Sequence, residues 1–367
     1  MPRQLLLDDL PDLARGAALL GAGGGGDPYI GLLLVTAELE RGATITLLDP
    51  DEVADDALVV ASAFMGAPTV VIEKIPGGDE PVMALRKLEL HLGRTADAII
   101  PMECGGLNSM IPLLVAARTG LPIVDGDGMG RAFPELQMET FGVYGVAGSP
   151  IAICNERGHV AIIETGHDNA SMEWYARAVT VRMGGVAYIA EYPMTGTQVK
   201  QTAIHGTLSL ALELGRVIRT AHEQHRNPFT ALVECLAGTI YRFGHSLLEG
   251  KVTDVERQSA DGFVRGTARI ATFDGLRTVE LTFQNEHLMA RSGDRLLAVA
   301  PDLITVLDAE TAFPITTEAL RYGQRVRVFV IGTPEIMRTP EALEVFGPRA
   351  FGLDEEWTPV EQLVALT

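Results

Sequence analysis

Two aspartates stand two residues apart in Val124-Asp125-Gly126-Asp127-Gly128-Met129-Gly130-Arg131-Ala132-Phe133-Pro134-Glu135. In an extended segment such a pair points the same way. Two carboxylates held close bind a metal, share a proton or require a cation, because like charges at short range do not both ionise cheaply. Arg131 is the available cation, and Glu135, four residues on, shares its face of any helix starting there. An EF-hand calcium loop does not fit, since its twelfth position, counted from Asp125, is Leu136. An Asp-Gly turn with Arg131 as a surface ion-pair partner is the simpler structural alternative.

A second candidate is Pro101-Met102-Glu103-Cys104-Gly105-Gly106-Leu107-Asn108-Ser109, between an apolar strand-like run and a helix-like one. Ligands of open α/β sheets sit at the carboxyl ends of strands, so Glu103 and Asn108 are expected to project into that crevice. Ser109 also suits a helix cap. Cys104, near a helix start, is a candidate nucleophile with a lowered pKa, or else an ordinary buried cysteine. A third candidate is Gly21-Ala22-Gly23-Gly24-Gly25-Gly26-Asp27-Pro28-Tyr29. Successive glycines turn backbone N–H groups into a shared concavity, and the following helix start adds positive potential. Gly23, Gly24, Gly25, Gly26 and Asp27 are therefore expected to bind substrate. The glycines follow a helix rather than a strand, with no Lys-Ser/Thr after them, so dinucleotide and P-loop readings fail.

His205 opens a long helical stretch, where it could reach a cleft as acid, base or ligand. With Asp125 and Asp127 it forms the candidate metal set, a divalent ion being the cofactor that such donors allow. His222 and His225 have chelating spacing but lie in a polar helix end. The sequence contains no HExxH, GxSxG or Walker motif.

These segments need a scaffold, and 367 residues suggest about two domains. With 47% hydrophobic residues the chain has ample apolar side chains to order itself. The net charge of −19 disfavours phosphate backbones and anionic lipid surfaces, so neither nucleic acid nor membrane is an expected partner. Three scattered cysteines imply no disulfide framework and fit a reducing compartment. The start carries Asp8 and Asp9 rather than a basic leader, and the longest apolar runs fall short of a bilayer span; a cytoplasmic protein is expected. Few aromatic residues and a β-rich end suggest a homo-oligomer.

Apolar periodicity predicts helices over Asp9–Leu20, from Asp27-Pro28 to about Glu40, over Pro81–Leu92 and over Ile111–Arg118. Strand-like runs are Ile45–Leu48, Leu58–Ala63, Thr69–Glu73, Ala98–Pro101 and Leu121–Val124. Such alternation implies a layered α/β domain with a largely parallel sheet. The pattern changes near Thr165, giving domains of 1–165 and 166–367. In the second, Ser171–Met183 suits either helix or strand, Gln198–Gln224 reads as one long helix, and Pro228–Glu249 carries another. From Lys251 to about 332 the chain turns to β, with strands at Phe263–Thr272, Thr278–Gln284, Leu288–Arg291, Leu296–Ala300, Ile304–Asp308 and Gln324–Ile331.

The segments GAGGGGDPYIG (Gly21–Gly31), ECGGLNS (Glu103–Ser109), VDGDGMGRAFPELQM (Val124–Met138), APDLITVLD (Ala300–Asp308) and LRYGQRVRVFVIG (Leu320–Gly332) together resemble the domain-of-unknown-function family numbered 917. That family also carries the name S-methyl thiohydantoin desulfurase. The resemblance implies an N-terminal α/β domain, a C-terminal domain with β structure, and hydrolysis of a sulfur-substituted hydantoin ring. It places Glu103, Asn108, Asp125, Asp127, Arg131 and Glu135 on matching motif positions. On this reading Asp125 and Asp127 activate water, directly or through a divalent ion, while Glu103 assists proton transfer and Asn108 orients the ring. The glycine loop holds a ring oxygen or carboxylate, and Arg131 holds an acidic tail or locks Glu135. The alternatives are a cyclic-imide amidohydrolase, and a non-catalytic binding subunit paired with a hydantoinase-type or oxoprolinase-type enzyme.

Overall fold

A computed structural model describes residues 2–366 apart from 68, 69, 71–73, 75, 261 and 262. The strand-like run Thr69–Glu73 lies, but for Val70, outside the described residues. The first sheet has eight strands in the order Arg3–Leu5, Ile45–Leu48, Ile123–Val124, Ala98–Pro101, Leu58–Gly66, Val186–Thr195, Ile151–Cys154 and Val160–Ile163. Its core is parallel, from Ile45–Leu48 through Leu58–Gly66, with antiparallel strands on both sides. These core strands are almost continuously apolar because both faces are covered: Val60 and Ile99 face one cluster, Val59 and Ile100 the other. Their carboxyl ends share one edge, so the loops after Gly66, Pro101 and Val124 emerge side by side.

Val186–Thr195 lies inside this sheet, so the chain returns to it after residue 165. The ambiguous Ser171–Met183 stretch is the helix Asn169–Arg182, capped by the Asp168 carboxylate on Ser171 N at 2.9 Å. The second sheet is antiparallel, in the order Arg295–Val299, Glu286–Ser292, Thr278–Gln284, Phe263–Ala271, Gly244–Ala260, Arg325–Ile331, Leu303–Asp308 and Pro314–Ile315. No helix among the described residues is long and apolar enough to cross a membrane.

Two helical expectations are corrected. Gln198–Gln224 is not one helix: Gly196–Thr202 ends, Ile204–His205 pairs with Gly126–Asp127, and Thr207–Glu223 begins after a left-handed Gly206. Backbone pairing with the aspartate segment outweighs local propensity there. The helix expected over Pro228–Glu249 stops at Ala237, and β structure begins at Gly244 rather than Lys251. Gly244–Ile331 pairing takes that segment into the sheet, where Leu247 and Leu248 join its core.

The helix Leu10–Leu20 packs along Thr207–Glu223, tying the chain's start to its second half. The contact is backbone on backbone: a Cβ at Gly215 would stand 1.8 Å from the Asp12 carbonyl oxygen. Asp12 is buried beside this crossing and paired with Arg219 at 2.8 Å and Arg15 at 2.7 Å. Alanine would favour an isolated helix over glycine by about 1 kcal/mol. Gly215→Ala should nonetheless lower stability, by about 1–3 kcal/mol through overpacking, read as a lower thermal midpoint; a raised midpoint would show that the helices have room.

Candidate active site at the seam of the two sheets

Glu103 leaves the carboxyl end of Ala98–Pro101 and is buried. Its Oε1 accepts from Asn108 Nδ2 at 2.6 Å. Asn108 is itself clamped to the neighbouring strand, its Oδ1 accepting from Phe64 N at 2.7 Å and its Nδ2 donating to Phe64 O at 3.2 Å. The amide thus has one orientation, and it fixes that of the carboxyl. Glu103 Oε2 is buried with no protein partner.

Glu286 approaches from the second sheet. It follows Asn285, which has a left-handed backbone (φ 57°) and holds Val264 N through Oδ1 at 2.8 Å. Glu286 Oε1 accepts from Gly25 N at 3.2 Å, and its Oε2 is buried without a protein partner. A Cβ at Gly24 would stand 2.0 Å from that Oε1, and one at Gly25 would stand 2.7 Å from Gly105 O. Only bare backbone passes between the first sheet's turn and the second sheet's carboxyl.

The glycine segment is therefore no open nest for an anion. It is buried, with Leu107 N donating to Gly25 O at 2.8 Å, Thr317 N to Gly23 O at 2.8 Å and His287 N to Ala22 O at 2.9 Å. Gly23 abuts His287 and Gly26 lies against Gly106. Asp27 stays exposed at the start of Tyr29–Glu40, accepting from Tyr29 N at 2.9 Å.

The two aspartates do not converge. Asp125 turns to the helix Thr207–Glu223, its oxygens accepting from Ser209 N at 3.0 Å and the Ser209 hydroxyl at 2.5 Å. It is a helix cap contributed from a distant segment. Asp127 is fully buried and accepts from Cys104 N and Gly130 N, both at 2.8 Å, tying the two motif loops together. His205 faces elsewhere, its Nε2 3.1 Å from Lys200 O. The candidate metal set is thus dispersed, and among the described residues no group of three or more His, Cys, Asp or Glu could hold a metal ion.

Arg131 is the largest fully buried side chain. It donates to Ala132 O at 3.0 Å, Asp302 O at 2.9 Å and His287 O at 2.8 Å, and packs 4.9 Å from the Phe133 ring centroid. Rather than meeting a substrate tail or Glu135, it fastens the first domain's motif to two strand ends of the second sheet. Glu135 accepts instead from Gln137 at 2.5 Å.

Glu103, Asn108, Gly25 and Glu286 line a narrow cleft of about 30 Å³, with Phe64 and Phe133 on its walls. Surface hollows of about 630 and 720 Å³ are larger, but neither contains two buried acids with free oxygens. Burial raises the Glu103 carboxyl well above the usual range; the Glu286 carboxylate raises it further, against the Asn108 hydrogen bond. Burial pushes Glu286 up to about 7, opposed by Arg131 and the Gly25 N–H. Asp127 is raised to about 6 by burial, against N–H bonds from Cys104 and Gly130. Arg131 is lowered by burial to about 10, and so keeps its charge near neutrality. Burial, then Asp127 and Glu103, raise the Cys104 thiol well above its usual value, which favours the ordinary buried cysteine over the thiolate nucleophile.

The sequence reading missed Glu286 and its neighbour His287, whose Nδ1 lies 3.0 Å from Ala22 O. The available signal was Gln284-Asn285-Glu286-His287, a polar run of four between apolar strands and longer than a two-residue hairpin requires.

A family model described as "S-Me-THD-like, N-terminal domain" matches residues 8–165, and one described as "S-Me-THD-like, C-terminal domain" matches residues 167–360. A crystal structure of a structural-genomics protein from Chromobacterium violaceum superposes with a TM-score of 0.82 at 25% identity, covering 98% of this chain and 100% of that one. This supports the two-domain α/β and antiparallel-sheet architecture. No curated protein matches.

Because folding raises the Glu286 pKa, the folded state holds a proton that the unfolded chain releases. That contribution is complete below the unfolded value, near 4, and is lost as pH rises through about 7. Glu286→Gln should match the parent's thermal midpoint near pH 5 and exceed it above pH 8. Parallel midpoint curves across that range would mean an unperturbed carboxyl.

Proposed function

The chain belongs to the S-Me-THD-like family across both its domains, and from that premise we propose that it hydrolyses a sulfur-substituted hydantoin ring, releasing methanethiol. The observation that carries this reading is the meeting of Glu103 and Glu286, each with a free buried oxygen, in one cleft between the two sheets.

The reaction adds water to the ring carbon that bears the S-methyl group. Glu286, with a pKa of about 7, takes a proton from water as oxygen attacks that carbon. Glu103, kept protonated by burial, gives its proton to the adjacent ring nitrogen. The adduct is neutral, carrying hydroxyl, S-methyl and ring N–H. On collapse the hydroxyl proton returns to Glu103, the carbonyl forms and the carbon–sulfur bond breaks. The departing sulfur takes the proton held by Glu286. Both glutamates regain their starting states, and one water plus substrate gives hydantoin and methanethiol.

Asn108 is a positioning residue that aims Glu103. Arg131 and the Gly25 N–H keep Glu286 available as a base despite its burial. Phe64 and Phe133 line the cleft, which must widen from about 30 Å³ for a flat ring to stack against them.

With an S-methyl thiohydantoin as substrate, kcat/KM should rise with pH through about 7 as Glu286 ionises. Glu286→Gln should lower kcat by about a hundredfold to ten-thousandfold. Trapping released thiol, with mass analysis of the ring product, checks both. Full turnover by Glu286→Gln, or an opened ring in place of hydantoin, would contradict the assignment. Asp125→Ala should keep turnover while losing about 1 kcal/mol of stability, the usual cost of a lost helix cap.

A further inference from the structure

The second sheet curls until Glu286–Ser292 and Arg295–Val299 touch Leu303–Asp308, and Val252, Leu281, Leu297 and Val328 share its core. At one end Gly244–Gly250 runs on past its neighbour Phe263–Ala271, because pairing with that strand begins only at Lys251. Within this overhang the register slips between Ser246 and Leu248, leaving Leu247 as the extra residue of a bulge. Bulges at the rims of curled sheets re-aim side chains and interrupt the ladder. Here the Leu247 carbonyl oxygen accepts from Arg277 Nη2 at 3.3 Å, while its side chain is buried.

The overhang, the turn before Thr278–Gln284 and the turn between Glu286–Ser292 and Arg295–Val299 border a hollow of about 490 Å³. Leu247 and Leu297, both buried, are its apolar part, and Ser246 and Ser292 add hydroxyls. The Ser246 hydroxyl is buried without a protein partner. The charged lining is Arg277 and Arg295, with His245 beside them and no Asp or Glu. Neither guanidinium is neutralised. Nearby Arg269 pairs with Glu280 at 2.8 Å and Arg291 with Glu355, but Arg277 and Arg295 have no carboxylate partner among the described residues. A chain with 48 acidic residues against 29 Lys and Arg could have paired both.

Guanidinium forks match the paired oxygens of carboxylates and phosphates. The hollow also has more room than a bare ion needs, and the mouths of closed or curled sheets commonly hold small ligands. We propose that this mouth is a second binding site, for a small organic oxyanion. Its carboxylate or phosphate head is held by Arg277 and Arg295, and its apolar body lies against Leu247 and Leu297. The glutamate cleft, acidic and of about 30 Å³, does not suit such a ligand. The inference does not depend on the thiohydantoin reading.

Calorimetry on the full chain with phenyl phosphate, benzoate and phenol tests it. The first two present the alternative heads on one ring, and phenol presents that ring without an oxyanion. The tighter-binding anion, which identifies the head, should bind about tenfold or more tighter than phenol. Arg277→Gln and Arg295→Gln should each weaken that anion about tenfold. Arg41→Gln, which removes the same charge from an exposed position in the first domain, should leave its affinity unchanged. Absence of anion binding, or phenol binding as tightly as both anions, would overturn the inference. So would an affinity unmoved by either substitution at the mouth, or an equal loss in Arg41→Gln, which would reduce the effect to net charge.

Discussion

One buried guanidinium stands against several buried carboxyls. Arg131 is fully enclosed where the two sheets meet, and Glu286, Asp302 and Glu103 all act on its charge. Its N–H groups go to backbone carbonyls rather than to these acids, so each contributes a hydrogen bond without forming a contact ion pair. A single positive charge cannot balance every acid around it in a medium of low dielectric. Protons make up the difference. Glu103 stays neutral, and Glu286, helped by Arg131 and an N–H, titrates near 7. The acid–base pair of the proposed chemistry is thus a consequence of how charge is buried at the seam.

The same seam explains the glycines. Glu286 approaches Gly24 so closely that a side chain there would collide with it, and one at Gly25 would collide with the Gly105 carbonyl oxygen. Gly105 and Gly106 complete the other side of the passage, allowing the loops after two different elements to lie against each other. The deeper pair Glu139 and Glu191 follows the same rule: fully buried and without protein hydrogen-bond partners, both are raised well above the usual carboxylate range. Asp127 departs from it only partly, because two N–H groups favour its ionised form.

What the sequence disclosed is uneven in a physically intelligible way. Ala98–Pro101 and Leu58–Gly66 were legible because a strand buried on both faces is a short apolar run. Glu103 and Asn108 followed, since position at a strand's carboxyl end is a topological property. Asp125 was misassigned because spacing in a sequence does not reveal which neighbour claims a carboxylate; Ser209 claims it from 84 residues away. Arg131 read as the cation of the aspartate site or a surface pair and is fully enclosed, two of its partners being carbonyls 156 and 171 residues distant. Glu286 was overlooked because its meaning comes from Gly25, 261 residues earlier. Local signals carried the elements; long-range pairing carried the chemistry.

The seam's charge balance is most directly tested by following glutamate side-chain carboxyl carbons by NMR across a pH titration, in the parent chain and in Glu286→Gln. The account predicts one glutamate titrating near 7 in the parent and absent from the variant, together with at least one other still protonated at that pH. Glutamates that all titrate near the ordinary value of about 4 would contradict it.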